Sequence, residues 1–119
     1  MAKISKMTLC ATNVTAMVGF YNAVLEAHFT PVADDPAGFY KGQIADIPTL
    51  LCPNSIAQVD AKQNRQQFDF VVDDIEKTVQ AALENGGTII QAIEKQGGAA
   101  VASVYDPDGN SLVFIQQTA

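Results

Sequence analysis

The chain repeats one pattern of apolar residues, and the second copy lies 61 positions after the first, so that Met7 corresponds to Phe68. In each copy, alternate apolar residues typical of a strand are followed by apolar residues at helical spacing. The matched apolar positions are Met7, Leu9, Ala11, Val14 and Val18 in the first copy and Phe68, Phe70, Val72, Ile75 and Val79 in the second. Such a repeat predicts two similar supersecondary units in one domain.

Each copy predicts a strand, a helix and three further strands. In the first half we expect strands over 4–12, 28–33, 38–44 and 47–52, and a helix that begins after Asn13 and ends near Ala27. In the second half we expect strands over 67–72, 88–93, 99–105 and 111–116, and a helix capped by Asp73 and closed by Asn85-Gly86-Gly87. The predicted units are 1–53 and 66–119, and the polar segment 54–65 is predicted to link them.

This order predicts an α+β fold with two βαβββ modules. The helix of each module covers one sheet face, and the other face is left open. Two modules placed side by side, in one chain or across a dimer, curve the open faces into a cleft that suits a small ligand. By alternation we expect Phe68, Phe70, Leu112 and Phe114 to face the helices as core.

Charge and composition exclude several classes of partner. The formal net charge is −6 and the sequence pI is about 4.4, which disfavours binding to nucleic acid. No apolar run has the length of a membrane span, and the first residues do not resemble a signal peptide, so we expect a cytoplasmic protein with no membrane partner. Cys10 and Cys52 lack the spacing of a zinc site. One disulfide between them is arithmetically possible, but we expect two buried free thiols.

Two segments resemble a known family. The first is the opening strand from Met7 with the helix that contains Phe20-Tyr21, and the second runs from Phe68 to the turn Asp106-Pro107-Asp108-Gly109-Asn110 and the strand after it. Together with the repeat, they resemble the glyoxalase/bleomycin-resistance/extradiol-dioxygenase (vicinal oxygen chelate) superfamily over nearly the whole chain. We interpret 106–109 itself as hairpin-turn chemistry without a further role.

The resemblance also implies where metal ligands would lie. Metal-using members of this superfamily hold a divalent ion with His and Glu on the first and last strands of each module. The corresponding positions here are Lys6, Gln67 and Val113, and the fourth lies between Thr49 and Cys52. A cation, an amide and an aliphatic side chain are poor ligands, so we expect no metal and no cofactor. A displaced site made of Cys10, Cys52 and Asp69 is the alternative.

The open sheet faces provide the candidate ligand-binding residues, which are Lys6, Thr8, Cys10, Gln67, Asp69, Tyr105 and Val113. An ion pair between Lys6 and Asp69 would be suited to acid–base work, and a structural ion pair or an exposed lysine is the simpler interpretation. His28, the single histidine, is expected at the surface.

We therefore expect a metal-independent protein that binds a small organic molecule, most simply as a homodimer, like the drug-sequestering branch of the superfamily. A metal-dependent lyase, isomerase or dioxygenase with displaced ligands is the first alternative. A non-catalytic domain whose sheet face binds another protein is the second.

Overall fold

A computed structural model describes residues 3–33, 38–57 and 66–117. The first half contains β1 (Met7–Ala11), α1 (Val14–Leu25), β2 (Thr30–Pro31), β3 (Tyr40–Ile44), β4 (Ile47–Pro53) and α2 (Asn54–Ala57). The second half contains β5 (Phe68–Val71), α3 (Ile75–Glu84), β6 (Thr88–Gln96), β7 (Ala99–Tyr105) and β8 (Ser111–Gln117). The predicted α+β fold with two βαβββ modules is confirmed.

The two modules have the same topology. Their sheets have the strand orders β1-β4-β3-β2 and β5-β8-β7-β6. In each, the first and last strands of the module run parallel as neighbours, and the remaining pairs are antiparallel. No helix within the described ranges is long and apolar enough to cross a membrane.

The helices begin at equivalent residues. The Asn13 side chain accepts a hydrogen bond from the backbone N–H of Ala16, and Asp74 accepts one from that of Lys77. The prediction that Asp73 caps the second helix was wrong by one residue. The backbone N–H that needs an acceptor is that of Lys77, and the side chain three residues before it belongs to Asp74. Asn13 and Asp74 are separated by the same offset as the rest of the repeat.

Several predicted boundaries differ from the observed ones. Helix α1 ends at Leu25 because Glu26 adopts a left-handed conformation with φ 51°. His28 has φ 55°, which interrupts extended backbone, so the strand predicted over 28–33 is reduced to Thr30–Pro31. Strand β6 continues three residues beyond the predicted end at Ile93, to Gln96. In the predicted linker, 54–57 form a helical turn, and 58–65 lie outside the described residues.

The core is continuous across both modules. Its largest fully buried side chains are Phe20, Phe114, Met17, Leu51 and Val104. Leu112 is buried as predicted, whereas Phe70 is only partly buried and Phe68 remains 48% exposed. The prediction of Phe68 as core was wrong, because it is the first residue of β5, which is one of the two edge strands of its sheet.

The turn at 106–110 joins the modules as well as connecting β7 to β8. Asp106 is 3% exposed and accepts a hydrogen bond from the Tyr21 hydroxyl of α1 at 2.7 Å. The Asp108 carboxylate accepts hydrogen bonds from the backbone N–H groups of Thr12 and Asn13 at 2.7 and 3.2 Å. The segment is a hairpin turn, as interpreted from the sequence. The interpretation that it has no further role was incomplete, because its side chains also form hydrogen bonds to α1 and to the residues directly before it.

Candidate functional site

Strand register defines a surface that we call the first open face. Thr8 pairs with Leu50 and Cys10 with Cys52, while Leu9 and Leu51 pair on the core side. Laterally paired residues share a sheet face. Through the β3–β4 pairing the face also includes β3, and its residues are Thr8, Cys10, Lys41, Gln43, Pro48, Leu50 and Cys52.

The second module presents the corresponding second open face. Asp69 pairs with Val113 in β8, and Val113 pairs with Ser103 in β7. The residues of this face are Asp69, Val71, Val101, Ser103, Tyr105, Ser111, Val113 and Ile115. Val71 is 69% exposed and Tyr105 38% exposed, so large apolar side chains face solvent in the single chain.

The seven residues predicted for the ligand site are distributed over both faces. The structure places Thr8 and Cys10 on the first open face, and Asp69, Tyr105 and Val113 on the second. Lys6 and Gln67 lie directly before β1 and β5, and both are exposed.

Among these seven predicted residues, the side-chain hydrogen bond that the structure shows joins two residues of the second module, Gln67 and Asp69. The Gln67 side chain donates to Asp69 at 3.4 Å and accepts from the Ser111 hydroxyl at 2.9 Å. Among the residues that the structure describes, no hydrogen bond or ion pair joins Lys6 to Asp69. The Lys6–Asp69 ion pair considered from the sequence is therefore not formed, and Asp69 has an amide partner instead.

A hollow of about 460 Å³ lies beside the first open face. Its wall includes Lys6, His28 and Lys41 as basic groups, and Gln43 and Leu50 as amide and apolar groups. Basic and hydrogen-bonding groups over an apolar floor suit an organic molecule that carries an anionic group. Lys41 and Gln43 were not predicted as site residues, although their alternation with Tyr40 and Ile44 already placed them on one strand face.

Cys10 and Cys52 are neighbours on the first open face. Their Sγ atoms are 3.7 Å apart and both thiols are free, as predicted. Cys52 is buried and Cys10 partly so. Burial, reinforced by the hydrogen bond with Cys10, raises the pKa of the Cys52 thiol to about 11.

The donor set does not fit the divalent ion used by metal-dependent members of the superfamily. Lys6, Gln67 and Val113 supply neither imidazole nor carboxylate at the implied positions. Within the described part of the chain, no three His, Cys, Asp or Glu side chains come together as a metal-binding group. The alternative site of Cys10, Cys52 and Asp69 is not assembled there, because Asp69 belongs to the second open face.

The most strongly perturbed acid–base pair is buried between α1 and the turn before β8. Burial, together with the charge of Asp106, raises the pKa of Tyr21 far above its usual range. Burial also raises the pKa of Asp106, although hydrogen bonds from Asn110, Tyr21 and Asp108 oppose the rise. Because these groups are enclosed by packing and hydrogen-bonded to each other, their role is structural.

Comparison with known proteins places the chain in a family. The profile of the glyoxalase-like domain matches residues 6–115. The chain belongs to the glyoxalase-like domain family. It is thereby a member of the glyoxalase/bleomycin-resistance superfamily, and the resemblance inferred from its sequence is confirmed.

Solved structures share the fold of this glyoxalase-like domain. The hypothetical protein SA1046 from S. aureus has a TM-score of 0.77 at 19% identity, over 98% of this chain and 95% of that one. A glyoxalase/bleomycin resistance protein/dioxygenase family enzyme from Burkholderia phytofirmans PsJN has a TM-score of 0.75 at 19% identity, over 98% and 99%. The fosfomycin resistance protein FosX from Mesorhizobium loti has a TM-score of 0.74 at 15% identity, over 99% and 94%. No curated protein matches the sequence.

Proposed function

We propose that this glyoxalase-like domain binds a small organic molecule on its open sheet faces without the help of a metal ion. The observation that carries the proposal is the set of side chains at the positions where the superfamily places metal ligands. Lys6 supplies a positive charge, Gln67 an amide already bound to Asp69 and Ser111, and Val113 only methyl groups. The open faces keep the polar and apolar groups needed to orient a ligand.

The charges around the first open face favour an anionic ligand. Lys6 and Lys41 both line its hollow, in a chain whose net charge is −6. Two ammonium groups on one wall stabilise a carboxylate or phosphonate through charge-assisted hydrogen bonds. A structural relative is named as a fosfomycin resistance protein, and fosfomycin, a phosphonate, is therefore a suitable first anion for a screen.

A second copy of the chain is the partner that best completes the site. The second open face exposes Val71 and Tyr105, and burying such apolar area drives association. In a symmetric dimer, the open face of one copy is covered by that of the other. We infer a homodimer whose cleft lies between open faces, and sedimentation of the wild type against Val71→Asp tests it. Weaker self-association of the variant is expected, and a monomeric wild type contradicts the inference.

The proposal that the protein binds no metal ion is tested first. Protein purified without chelators is analysed for bound elements, and its thermal midpoint is measured with added Ni²⁺, Zn²⁺, Mn²⁺ and Fe²⁺. A specifically bound ion stabilises the folded state by mass action. We expect no stoichiometric metal and no rise in the midpoint. A stoichiometric ion, or a saturable rise with one of these metals, would instead support a metal-dependent lyase, isomerase or dioxygenase.

Binding is then tested with fosfomycin and a library of small carboxylates and phosphonates, using calorimetry to follow any saturable stabilisation. Lys41→Ala is expected to weaken binding by about tenfold or more, since a charge-assisted hydrogen bond contributes about 1.5–3 kcal/mol. Lys77→Ala is the matched control, because Lys77 lies on α3 and outside the hollow. Equal losses in both variants would contradict the assignment. Failure of every small molecule to stabilise the protein would favour a protein-binding face.

A further inference from the structure

We propose that Cys10 and Cys52 form a redox-convertible dithiol that closes into a disulfide across β1 and β4 by exchange with a low-molecular-weight disulfide. The two sulfurs are 3.7 Å apart although the residues are 42 positions apart in the chain. The proposal concerns the first open face but needs no ligand, and it stands independently of the binding function.

The backbone already meets the requirement for such a bond. Cys10 and Cys52 are register partners in neighbouring parallel strands. Neighbouring strands lie about 4.7–4.9 Å apart, and disulfides join Cα atoms about 4.4–6.8 Å apart. The sulfurs must approach to about 2.05 Å, which needs side-chain rotation rather than separation of the strands.

The surroundings favour disulfide chemistry over metal binding. A structural zinc ion takes four ligands, and no third His, Cys, Asp or Glu joins the two thiols within the described residues. Cys10 is partly exposed and open to a small reagent, whereas Cys52 is 3% exposed. This difference assigns Cys10 as the attacking thiol and Cys52 as the resolving thiol.

The exchange has two balanced steps. The Cys10 thiol loses its proton and attacks one sulfur of the small disulfide, forming a mixed disulfide and releasing one small thiolate, which takes up the proton. The Cys52 thiol then loses its proton and attacks Cys10 Sγ, which forms the Cys10–Cys52 bond and releases the second small thiol. Two protein thiols are oxidised and one small disulfide is reduced to two thiols. The raised pKa of Cys52 slows attack on reagents in solution, while the neighbouring Cys10 Sγ is within reach.

The test uses the intact protein in buffers poised with hydroxyethyl disulfide and mercaptoethanol. Because the chain contains only these two cysteines, intact mass and thiol titration of the unfolded product identify the linkage without any variant. We expect the mass of a single chain, with no covalent link to a second chain, that is two hydrogens lighter and has no titratable thiols. This product should melt at a higher temperature because the closed loop restricts the unfolded chain. Dithiothreitol is expected to restore the original mass and midpoint.

Two variants separate the steps. Cys52→Ala is expected to stop at the mixed disulfide on Cys10, and Cys10→Ala to react far more slowly with the same reagent. Three results would overturn the proposal: retention of both thiols in the wild type in fully oxidising buffer, accumulation of the mixed disulfide without closure, or closure only between two chains. The wild-type mass result decides the question even if a variant fails to fold.

Discussion

The hydroxyl of Tyr21 donates a hydrogen bond of 2.7 Å to the carboxylate of Asp106, and both side chains are buried. Tyr21 belongs to the first module and Asp106 to the second. Asp106 also accepts hydrogen bonds from the backbone N–H groups of Asp108 and Asn110. The pair therefore connects α1 of the first module to the turn before β8 of the second.

Tyr21→Phe is expected to destabilise the protein by about 1.5–3 kcal/mol, the contribution of a hydrogen bond to a charged group. The substitution keeps the ring and removes only the donor. Urea unfolding measures the effect. Tyr40→Phe is the matched control, since the Tyr40 hydroxyl has no hydrogen bond to any described residue. We expect its effect to stay within about 0.5 kcal/mol, and equal losses in the two variants would contradict the role of the Tyr21 hydroxyl.

The raised pKa of Asp106 predicts a particular pH dependence. A carboxyl whose pKa is higher in the folded than in the unfolded state stabilises the fold fully below the unfolded pKa, about 3.9. That contribution is lost as the pH rises through the folded pKa. The free energy of unfolding of the wild type, minus that of Asp106→Asn, is therefore expected to fall as the pH is raised from about 3 to about 7. Any effect of the Asn amide that does not depend on pH cancels from the pH dependence of this difference. A difference that instead increases with pH would show that the pKa of Asp106 is lower in the folded state than in the unfolded state.

Gly87 is expected to tolerate no side chain. A Cβ there would lie 2.8 Å from the carbonyl oxygens of Ala82 and Tyr105 and 2.8 Å from the Phe20 ring. Gly87→Ala should cost about 1–3 kcal/mol through overpacking, because the backbone oxygens cannot move aside. Gly19→Ala is the contrasting variant, since a Cβ at this position in α1 meets nothing within 4 Å. It should stabilise the protein by about 0.5–1 kcal/mol, and chemical denaturation of both variants checks the opposite signs.

The β3–β4 turn offers a stabilising substitution. Ile44 pairs with Ile47, and the two residues between them, Ala45 and Asp46, both have positive φ, at 50° and 66°. Such two-residue hairpin turns favour Asn-Gly, so the double substitution Ala45→Asn and Asp46→Gly is expected to add about 1 kcal/mol. Its thermal midpoint should rise.

Gly97→Ala is the reverse experiment. Gly97 has φ 62° and open space where a Cβ would be, so backbone strain alone should lower the stability by about 1–2 kcal/mol. If neither the double substitution in the β3–β4 turn nor Gly97→Ala changes the stability, the positive φ angles in these turns do not strain the backbone.

Much of the fold followed from the repeat, because alternation and helical spacing report which side of each element is buried. Thr8 and Val113 were assigned to their sheet faces in this way. Register is not encoded in alternation, so the contact between Cys10 and Cys52 and the position of Lys41 in the same hollow as Lys6 became visible only in the structure. The bond between Tyr21 and Asp106 spans 85 positions, and the turn motif that supplies Asp106 is explained locally by its proline and glycine.

The Phe20 ring of the first module packs against Gly87 of the second. Although the sequence is duplicated, the halves are not autonomous folding units, since a fragment ending before Phe68 would expose the Phe20 ring and leave Tyr21 without its acceptor. Melting should accordingly proceed in a single cooperative step, with no temperature at which one half is ordered and the other is not.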